Sequence, residues 1–492
     1  MNEQSNLIAS PLLSDAMAGS IYVSGFRSAS GGKVAVTDKA SGETLFQAGI
    51  ASVDDVSKAV SVAREAQVEW GARPPTERGD ILRKFAQLCE LYADELGQWI
   101  IRETGSIPPK APFEVMTSAR EAIEIAGLTG QPVGFLLSSG LPRRSIARRV
   151  PLGVVGVITP WNSPFILAAR VILPALAMGN AVVLKPDLQT PVCGGYLLAE
   201  LFNRAGLPDG LFAVVPGGPD VGAALVESDV NMISFTGSTA SGRKVGEASG
   251  RGLKKVMLEL GGNNAAIVFE DADLDGTASA AAFGSFFHQG QICFTIGRHI
   301  VHEKVAEKYA AKLAEKAKNL HVGNPFTEQV HLGPIVNERQ AARAQKLLDD
   351  SVAQGAKVLA GGKRQGLNFQ ATVLTDVRID MPIYADETFG PVAPIVTFKS
   401  EEEAIALANG VSYGLATSIF TQDQAKAMRI ADKVKTGIVH INDQTVLHEV
   451  FGPIGGMGAS GNGSRSGGPG VMDEYSQWQW ITVNDQVPPY PF

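Results

Sequence analysis

GVVGVIT (153–159) opens a series of short, continuously apolar runs whose reading decides the fold. AVVLK (181–185), LFAVV (211–215), NMISFT (231–236) and KKVMLEL (254–260) follow it. The gaps hold segments of helical character: PFILAARVILPAL, PVCGGYLLAELFNRA, DVGAALVES and TASGRKVGEAS. Strands that are apolar on both faces and joined by helical crossovers belong to a parallel sheet covered on both sides. This half of the chain therefore reads as a doubly wound α/β unit.

Working toward the C-terminus, a second alternating series begins after Gly261 and Gly262. It contains NAAIVF, a helix across 278–287, RHIVHE, the amphipathic EKVAEKYAAKLAEKAKNL, then PIVTF, EEEAIALAN, SIFT and GIVHIN. The architecture repeats without the sequence repeating, which places a domain boundary near Gly261. Toward the N-terminus, Ile81, Leu82, Phe85, Leu88, Cys89, Tyr92 and Leu96 recur at helical spacing, so Cys89 sits on a buried stripe. Two segments fit neither series: 133–150, with Arg143, Arg144, Arg148 and Arg149, and 477–483, where Trp478 and Trp480 alternate with glutamine. Both read as exposed strands, and an exposed edge invites pairing with another chain. The arginines read as a solvated face.

The totals agree with several packed units. At ~150 residues per domain, 492 residues make two or three. Apolar residues are 45% and charged ones 19%, the mix of a globular protein. A formal charge of -7 opposes a phosphate backbone, which argues against nucleic acid as a partner. MNEQSNLIASPLLSD lacks a basic, then apolar, leader pattern, and the most apolar long run (152–169) is broken by Pro160, Asn162, Ser163 and Pro164. Neither secretion nor membrane insertion is expected. Cys89, Cys193 and Cys293 are about a hundred residues apart and odd in number, so free thiols in a cytoplasmic protein are expected.

The motifs separate unevenly. GMGASG (456–461) matches the dinucleotide fingerprint but follows FGPIGG rather than a strand and opens no helix, so it reads as a loop. TGSTASG (236–242) turns from a strand directly into a helix. Gly237 and Ser238 there fit either a pyrophosphate site at a helix N-terminus or a plain capped turn. His299, His302 and Glu303 lie on an apparent strand, where residues three apart face opposite ways, and no third ligand recurs nearby, which argues against a metal. Cys193 begins a packing helix. Cys293, in HQGQICFTIGRH between Gly290 and Gly297, fits buried filler or a nucleophile about equally.

TPWNSPF (159–165), VLKPDLQTP (183–191), FTGSTASG (235–242), LELGGNN (258–264), GQICFTIGR (290–298) and ETFGPV (387–392) occur in order and at suitable spacing. Together they resemble the aldehyde dehydrogenase superfamily over almost the whole chain. The resemblance implies a modified Rossmann cofactor domain from 1–132 and 151–261 and an α/β catalytic domain from 262–458. It also implies an arm of oligomerisation strands from 133–150 and 477–492, with a return segment from 459–476. The assembly implied is a homodimer or homotetramer. No metal is implied.

The same resemblance makes Cys293 the nucleophile, Asn162 with the Cys293 amide the oxyanion donor, and Glu259 the base that hydrolyses the thioester. It assigns NAD or NADP to Ile158, Thr159, Pro160, Trp161, Lys185, Gly237, Ser238, Gly242, Leu260, Glu387 and Phe389. Many NAD-preferring relatives carry a glutamate three residues after the lysine, whereas Leu188 stands here, with Asp187 one place earlier. GGNNAAIVFEDADLD, FFHQGQICFTIGRH and HINDQTV are similar to dehydrogenases of benzaldehyde, hydroxybenzaldehyde and vanillin, which implies an aromatic aldehyde. Ser163, Leu167, Arg170, Phe294, Thr445 and Leu447 are then expected at the substrate tunnel. Arg170 is expected there as a polar handle for a ring substituent or carboxylate, or else as a partner in a surface or interface salt bridge. The competing readings are an aliphatic aldehyde or semialdehyde substrate, a cysteine hydrolase using His288 or His299, and a catalytically silent relative, which the retained Cys293 and Glu259 oppose.

Overall fold

The computed structural model describes residues 11–492. The reading of the N-terminus rests largely on residues 1–10, outside the described part. The first seven-stranded sheet runs, edge to edge, Lys255–Glu259, Met232–Thr236, Val154–Ile158, Ala181–Lys185, Phe212–Val214, Ser20–Val23 and Phe26–Ser28. The first five strands are parallel and the last two pair antiparallel. From Val154–Ile158 the chain moves one way to Ala181–Lys185 and Phe212–Val214, then returns to add Met232–Thr236 on the other flank. Such a reversal opens a crevice beyond the carboxyl ends of the two central strands. Thr159 and Pro160 leave on one side of it, Gly237 and Ser238 on the other.

A second seven-stranded sheet contains Lys357–Ala360, Thr372–Thr375, Val392–Phe398, Ile296–His302, Asn264–Val268, Ala416–Phe420 and Ile438–Ile441, in that spatial order. All but Lys357–Ala360 run parallel. The two sheets are joined through Leu260 to Asn263, so the strand carrying Glu259 ends where the second sheet begins. Four helices, Val53–Ala72, Pro75–Leu91, Ala93–Thr104 and Lys110–Leu128, lie between the two N-terminal strands of the first sheet and its parallel strands and share its core, with Cys89 and Trp70 fully enclosed. Val471 and Tyr475 belong to that same core, so the chain returns to the first sheet after finishing the second.

Gly134–Leu137, Arg144–Pro151 and Ser476–Val483 form a separate antiparallel sheet. The tail strand stops at Val483; residues 484–492, which the sequence reading included, form no strand because the partner register ends at Arg144. Leu136, Trp478 and Trp480 are exposed on this sheet. Its arginines are more engaged than a solvated face implies: Arg149 pairs with Asp473 at 2.8 Å and lies 4.3 Å over Trp478, and Arg143 lies over Trp480. Among the described residues no helix is long and apolar enough to cross a membrane.

Candidate active site

The helix Leu274–Phe286 stops abruptly, and His288 (φ 51°), Gln289 (φ 57°) and Gly290 (φ 68°) follow in the left-handed region. Two non-glycine residues there cost of order 1–3 kcal/mol each, so the surroundings must over-determine them. Gln289 donates to the carbonyls of Gly105 and Pro334 at 2.8 Å each, and Gln291 Oε1 accepts the Val336 N–H at 3.0 Å. A side chain at position 290 would lie 2.3 Å from the Gly390 carbonyl, so glycine is required. This reversal delivers Cys293 to the crevice. Asn264 then clamps it: its amide nitrogen donates to the carbonyls of Cys293 and Thr295, both at 2.7 Å, while its oxygen accepts from Ala416. Asn264, Gln289 and Gln291 lie inside quoted motifs, yet nothing in their spacing marked them as braces.

Asn162 comes from the opposite side, at the turn after Val154–Ile158. Its buried amide donates to the Gln291 carbonyl at 2.8 Å. A primary amide has two N–H donors, so the second stays available. Cys293 and Asn162 open on one cavity together with Ser163, Leu167, Arg170 and Phe294, all expected there, and with Phe113, Phe287, Ile292, Ile166, Val446, Lys110 and His448, which sequence reasoning missed. The phenylalanine at 113 sits on a distant helix, where spacing reports only helicity. Thr445 and Leu447 do not line this cavity. The Thr445 hydroxyl turns to the Phe294 carbonyl at 2.5 Å, and Leu447 faces a separate surface depression beside Ile438 to His440.

Arg170 is buried, and its ion pair is internal rather than at a surface or interface. It lines the cavity, lies 3.4 Å from the buried Glu121 carboxylate and meets His448 Nε2 at 2.9 Å. Burial, with Arg170 beside it, pushes His448 down to about 3, so the ring is neutral. Its Nδ1 faces the Val446 carbonyl at 3.2 Å, which fixes Nδ1 as the protonated nitrogen and Nε2 as the acceptor from Arg170.

Glu259 ends the last parallel strand, and Gly461 bridges to it from the glycine loop 455–461. A side chain at Gly455 would come within 2.9 Å of Glu259 Oε1, so the glycine just ahead of the rejected fingerprint lies against this carboxylate, while Gly461 at the fingerprint's end bridges the Glu259 main chain. Oε1 is buried without a hydrogen-bond partner. Burial drives the acid up to about 8, against the opposing pull of Arg465 and Arg170. Cys293 is pushed up to about 12 by its enclosure and then by the Glu387 and Glu259 carboxylates, while Arg170 draws it down.

At the crevice, Glu387 accepts the Gly262 N–H at 2.9 Å and is raised to about 7 by burial. Phe389, at φ 52°, meets Trp161 edge to face with ring centres 5.5 Å apart. Lys185 is buried at the end of the neighbouring strand, its ammonium pushed down by burial while Asp187 and Asp220 oppose the shift. Thr159 Oγ1 is buried and unpartnered, an acceptor and donor awaiting a ligand. Ile158 forms the adjoining wall, and Pro160 continues from it. Ser238 Oγ accepts from the Ser241 N–H at 3.3 Å, so the cap role is realised; the other first-turn amides of Thr239–Arg251 remain open to an anion. A side chain at Gly242 would collide with Leu260 at 2.3 Å, which ties that helix to the crevice wall.

The other reactive groups separate from this site. His299 is held between Ser285 and Tyr309 and pushed down to about 3 by burial. The buried His288 ring has no hydrogen-bond partner, and neither histidine lines the Cys293 cavity. That removes the base from the cysteine-hydrolase reading. His302 caps the helix Glu303–Lys318 through the Lys304 amide. Among the described residues no group of three histidine, cysteine or carboxylate side chains is placed to hold a metal. Cys193 lies in a π-helical turn, Val192–Tyr196, rather than in a regular first turn, and Glu103 accepts both the Val192 and Cys193 amides.

Residues 26–481 match the aldehyde dehydrogenase family. The chain is 52% identical to a vanillin dehydrogenase of Amycolatopsis sp. and 51% identical to a benzaldehyde dehydrogenase [NAD(+)] of Pseudomonas putida, covering 96% of this chain and 98% of each relative. It superposes with a TM-score of 0.93 on a crystal structure of betaine aldehyde dehydrogenase from Staphylococcus aureus in complex with NAD+, at 30% identity and 96% coverage of both chains. With the fold and nearly the whole length in agreement, this chain belongs to the aldehyde dehydrogenase family.

Proposed function

We propose that the protein oxidises an aromatic aldehyde, of the benzaldehyde, hydroxybenzaldehyde or vanillin type, to its carboxylic acid with NAD or NADP. The observation that carries this is the cavity onto which Cys293 and Asn162 open: Phe113, Phe287 and Phe294 wall it, and Arg170 and His448 supply its polar end. Aromatic walls favour a flat ring through edge and face contacts. The vanillin and benzaldehyde relatives support the same substrate class.

An aldehyde carbon releases hydride only once it is tetrahedral, so Cys293 bonds to it first as the thiolate, the sulfur electron pair forming the C–S bond while the carbonyl π pair becomes the alkoxide. The free Asn162 N–H and the Cys293 amide stabilise that oxygen, a donor of this kind contributing about 3–4 kcal/mol. Bound NAD(P) supplies the hydride acceptor. Lys185 would hold the adenosine ribose, Gly237 and Ser238 with the helix amides would hold the pyrophosphate, and Glu387 and Phe389 with Trp161 would hold the nicotinamide end. Ile158, Thr159, Pro160, Gly242 and Leu260 shape the path between. The unpartnered Thr159 hydroxyl and the crevice at the sheet reversal fit such a ligand. Glu259 then takes a proton from the water that attacks the Cys293 thioester, which releases the acid and restores the thiol. Asp187 is turned to the Gln189 amide at 2.9 Å, and Leu188 carries no charge to repel a 2′-phosphate, so both cofactors are assigned.

The first sheet serves as the cofactor domain and the second as the catalytic domain. The exposed third sheet serves as the arm of a cytoplasmic homodimer or homotetramer. Cofactor reduction followed by absorbance with benzaldehyde, hydroxybenzaldehydes and vanillin tests the activity. Turnover confined to aliphatic aldehydes overturns the substrate class, and none with any aldehyde and either cofactor overturns the reaction.

A further inference from the structure

Asn162 stands at the start of the helix Pro164–Ala177, and that start is capped from outside. Ser163, its N-cap residue, makes no side-chain cap bond. The first-turn amides of Phe165 and Ile166 instead donate to Glu114 Oε2, at 3.2 and 3.4 Å. Glu114 is fully buried on the helix Lys110–Leu128, 51 residues upstream of Phe165, and its other oxygen pairs with the equally buried Lys110 one turn before. A buried ion pair rarely adds stability over apolar side chains of the same volume, so its presence calls for another reason. Here it stands beside the cavity: Lys110 lines the same wall as Asn162 and Cys293. A carboxylate aimed at two unpaired amides also complements the positive end of the helix.

We propose that Glu114, with Lys110 as its counter-ion, is a positioning residue for Asn162. It anchors the main chain three and four residues after Asn162, in the first turn of the helix that Asn162 leads into, while the Gln291 carbonyl anchors the side-chain amide. The two restraints together aim the free N–H at the adduct oxygen. This inference rests on the aldehyde-oxidising reading. Misplacing such a donor by an ångström costs on the order of a hundredfold in rate, with little change in ground-state binding.

Two neutral double variants of equal bulk isolate the effect: K110M/E114Q keeps an oxygen facing the two amides, and K110M/E114M removes it. Single-turnover reduction of NAD, with enzyme in excess over benzaldehyde, reports formation and oxidation of the adduct. Alkylation of Cys293 by iodoacetamide, which needs no oxyanion donor, reports the nucleophile alone. The expected result is a single-turnover rate about 10- to 100-fold slower in K110M/E114M than in K110M/E114Q, with KM within about threefold and alkylation unchanged. Equal single-turnover rates, or a parallel fall in alkylation, overturn the positioning role. If K110M/E114M does not fold, K110M/E114Q against wild type decides: a loss beyond about tenfold despite the retained oxygen overturns it. Inactivity of the wild type toward every aldehyde instead removes the underlying reaction, so the two failures are distinct.

Discussion

Cys193 and Cys293 each lie beside a carboxylate, and both thiols are held well above the usual thiol range. Burial and the Glu103 carboxylate do this at Cys193; enclosure, Glu387 and Glu259 do it at Cys293. Acidity therefore does not tell the nucleophile from the filler. Surroundings do. Cys193 is sealed in the core, with Glu103 satisfied by two main-chain amides. Cys293 faces a cavity, its carbonyl is clamped by Asn264, an amide donor stands opposite, and the nearby Glu259 keeps an unpartnered oxygen. The first carboxylate is bound into the structure, whereas the second keeps an oxygen without a hydrogen-bond partner among the described residues.

The contrast can be broken at several points, beginning where the effect is greatest. Cys293→Ala is expected to abolish turnover, and measurable steady-state oxidation by that variant would remove the nucleophile. Glu259→Gln should lower steady-state turnover about 10²–10⁴-fold while still giving one stoichiometric burst of reduced cofactor; stopped-flow absorbance reads both. Asn162→Ala is expected to slow adduct formation about 10²–10³-fold with KM little changed.

A smaller effect follows from the acid at about 8. Glu259 acts as a base only when ionised. Where thioester hydrolysis limits the rate, kcat should therefore rise with pH and level off above about 8. A profile flat from pH 6 to 9 in the wild type would contradict the assignment, and Glu259→Gln should lack the rise. The least effect belongs to Cys193→Ala. It should cost about 1–2 kcal/mol of stability, read as a lower denaturation midpoint, and leave kcat within about threefold.

Much of the fold was legible because continuous apolar strands alternating with amphipathic helices have few packings open to them. Thus 153–159 and its four successors form the parallel core of one sheet, and the series after Gly262 supplies five of the seven strands of another, the remaining two being Lys357–Ala360 and Thr372–Thr375. Both tryptophan-bearing and arginine-rich segments pair in a third. Misreadings fell where a local pattern stood in for a tertiary partner. The tail was carried past Val483 because nothing in its residues announces where Arg144–Pro151 ends. The family resemblance implies Thr445 and Leu447 at the cavity, whereas the loop turns one inward to the Phe294 carbonyl and the other out to a surface depression. Glu114, His448 and Asn264 were missed because a buried polar residue is recognised by its partner, 51, 278 and 29 residues distant respectively.

Motif order and apolar periodicity, which are local properties of the chain, were by themselves enough to determine the family resemblance, the strand series and the identity of three residues worth watching: Cys293, Glu259 and Asn162. Tertiary structure alone decided what those residues face. The left-handed turn at His288 to Gly290 presents the thiol, the reversal of strand order opens the crevice, and the glycine loop beneath Glu259 leaves one of its oxygens unpaired. Reactivity depends on enclosure and on the distance between groups far apart in the chain, and those are fixed only when the two sheets and the helices over them close around one cavity.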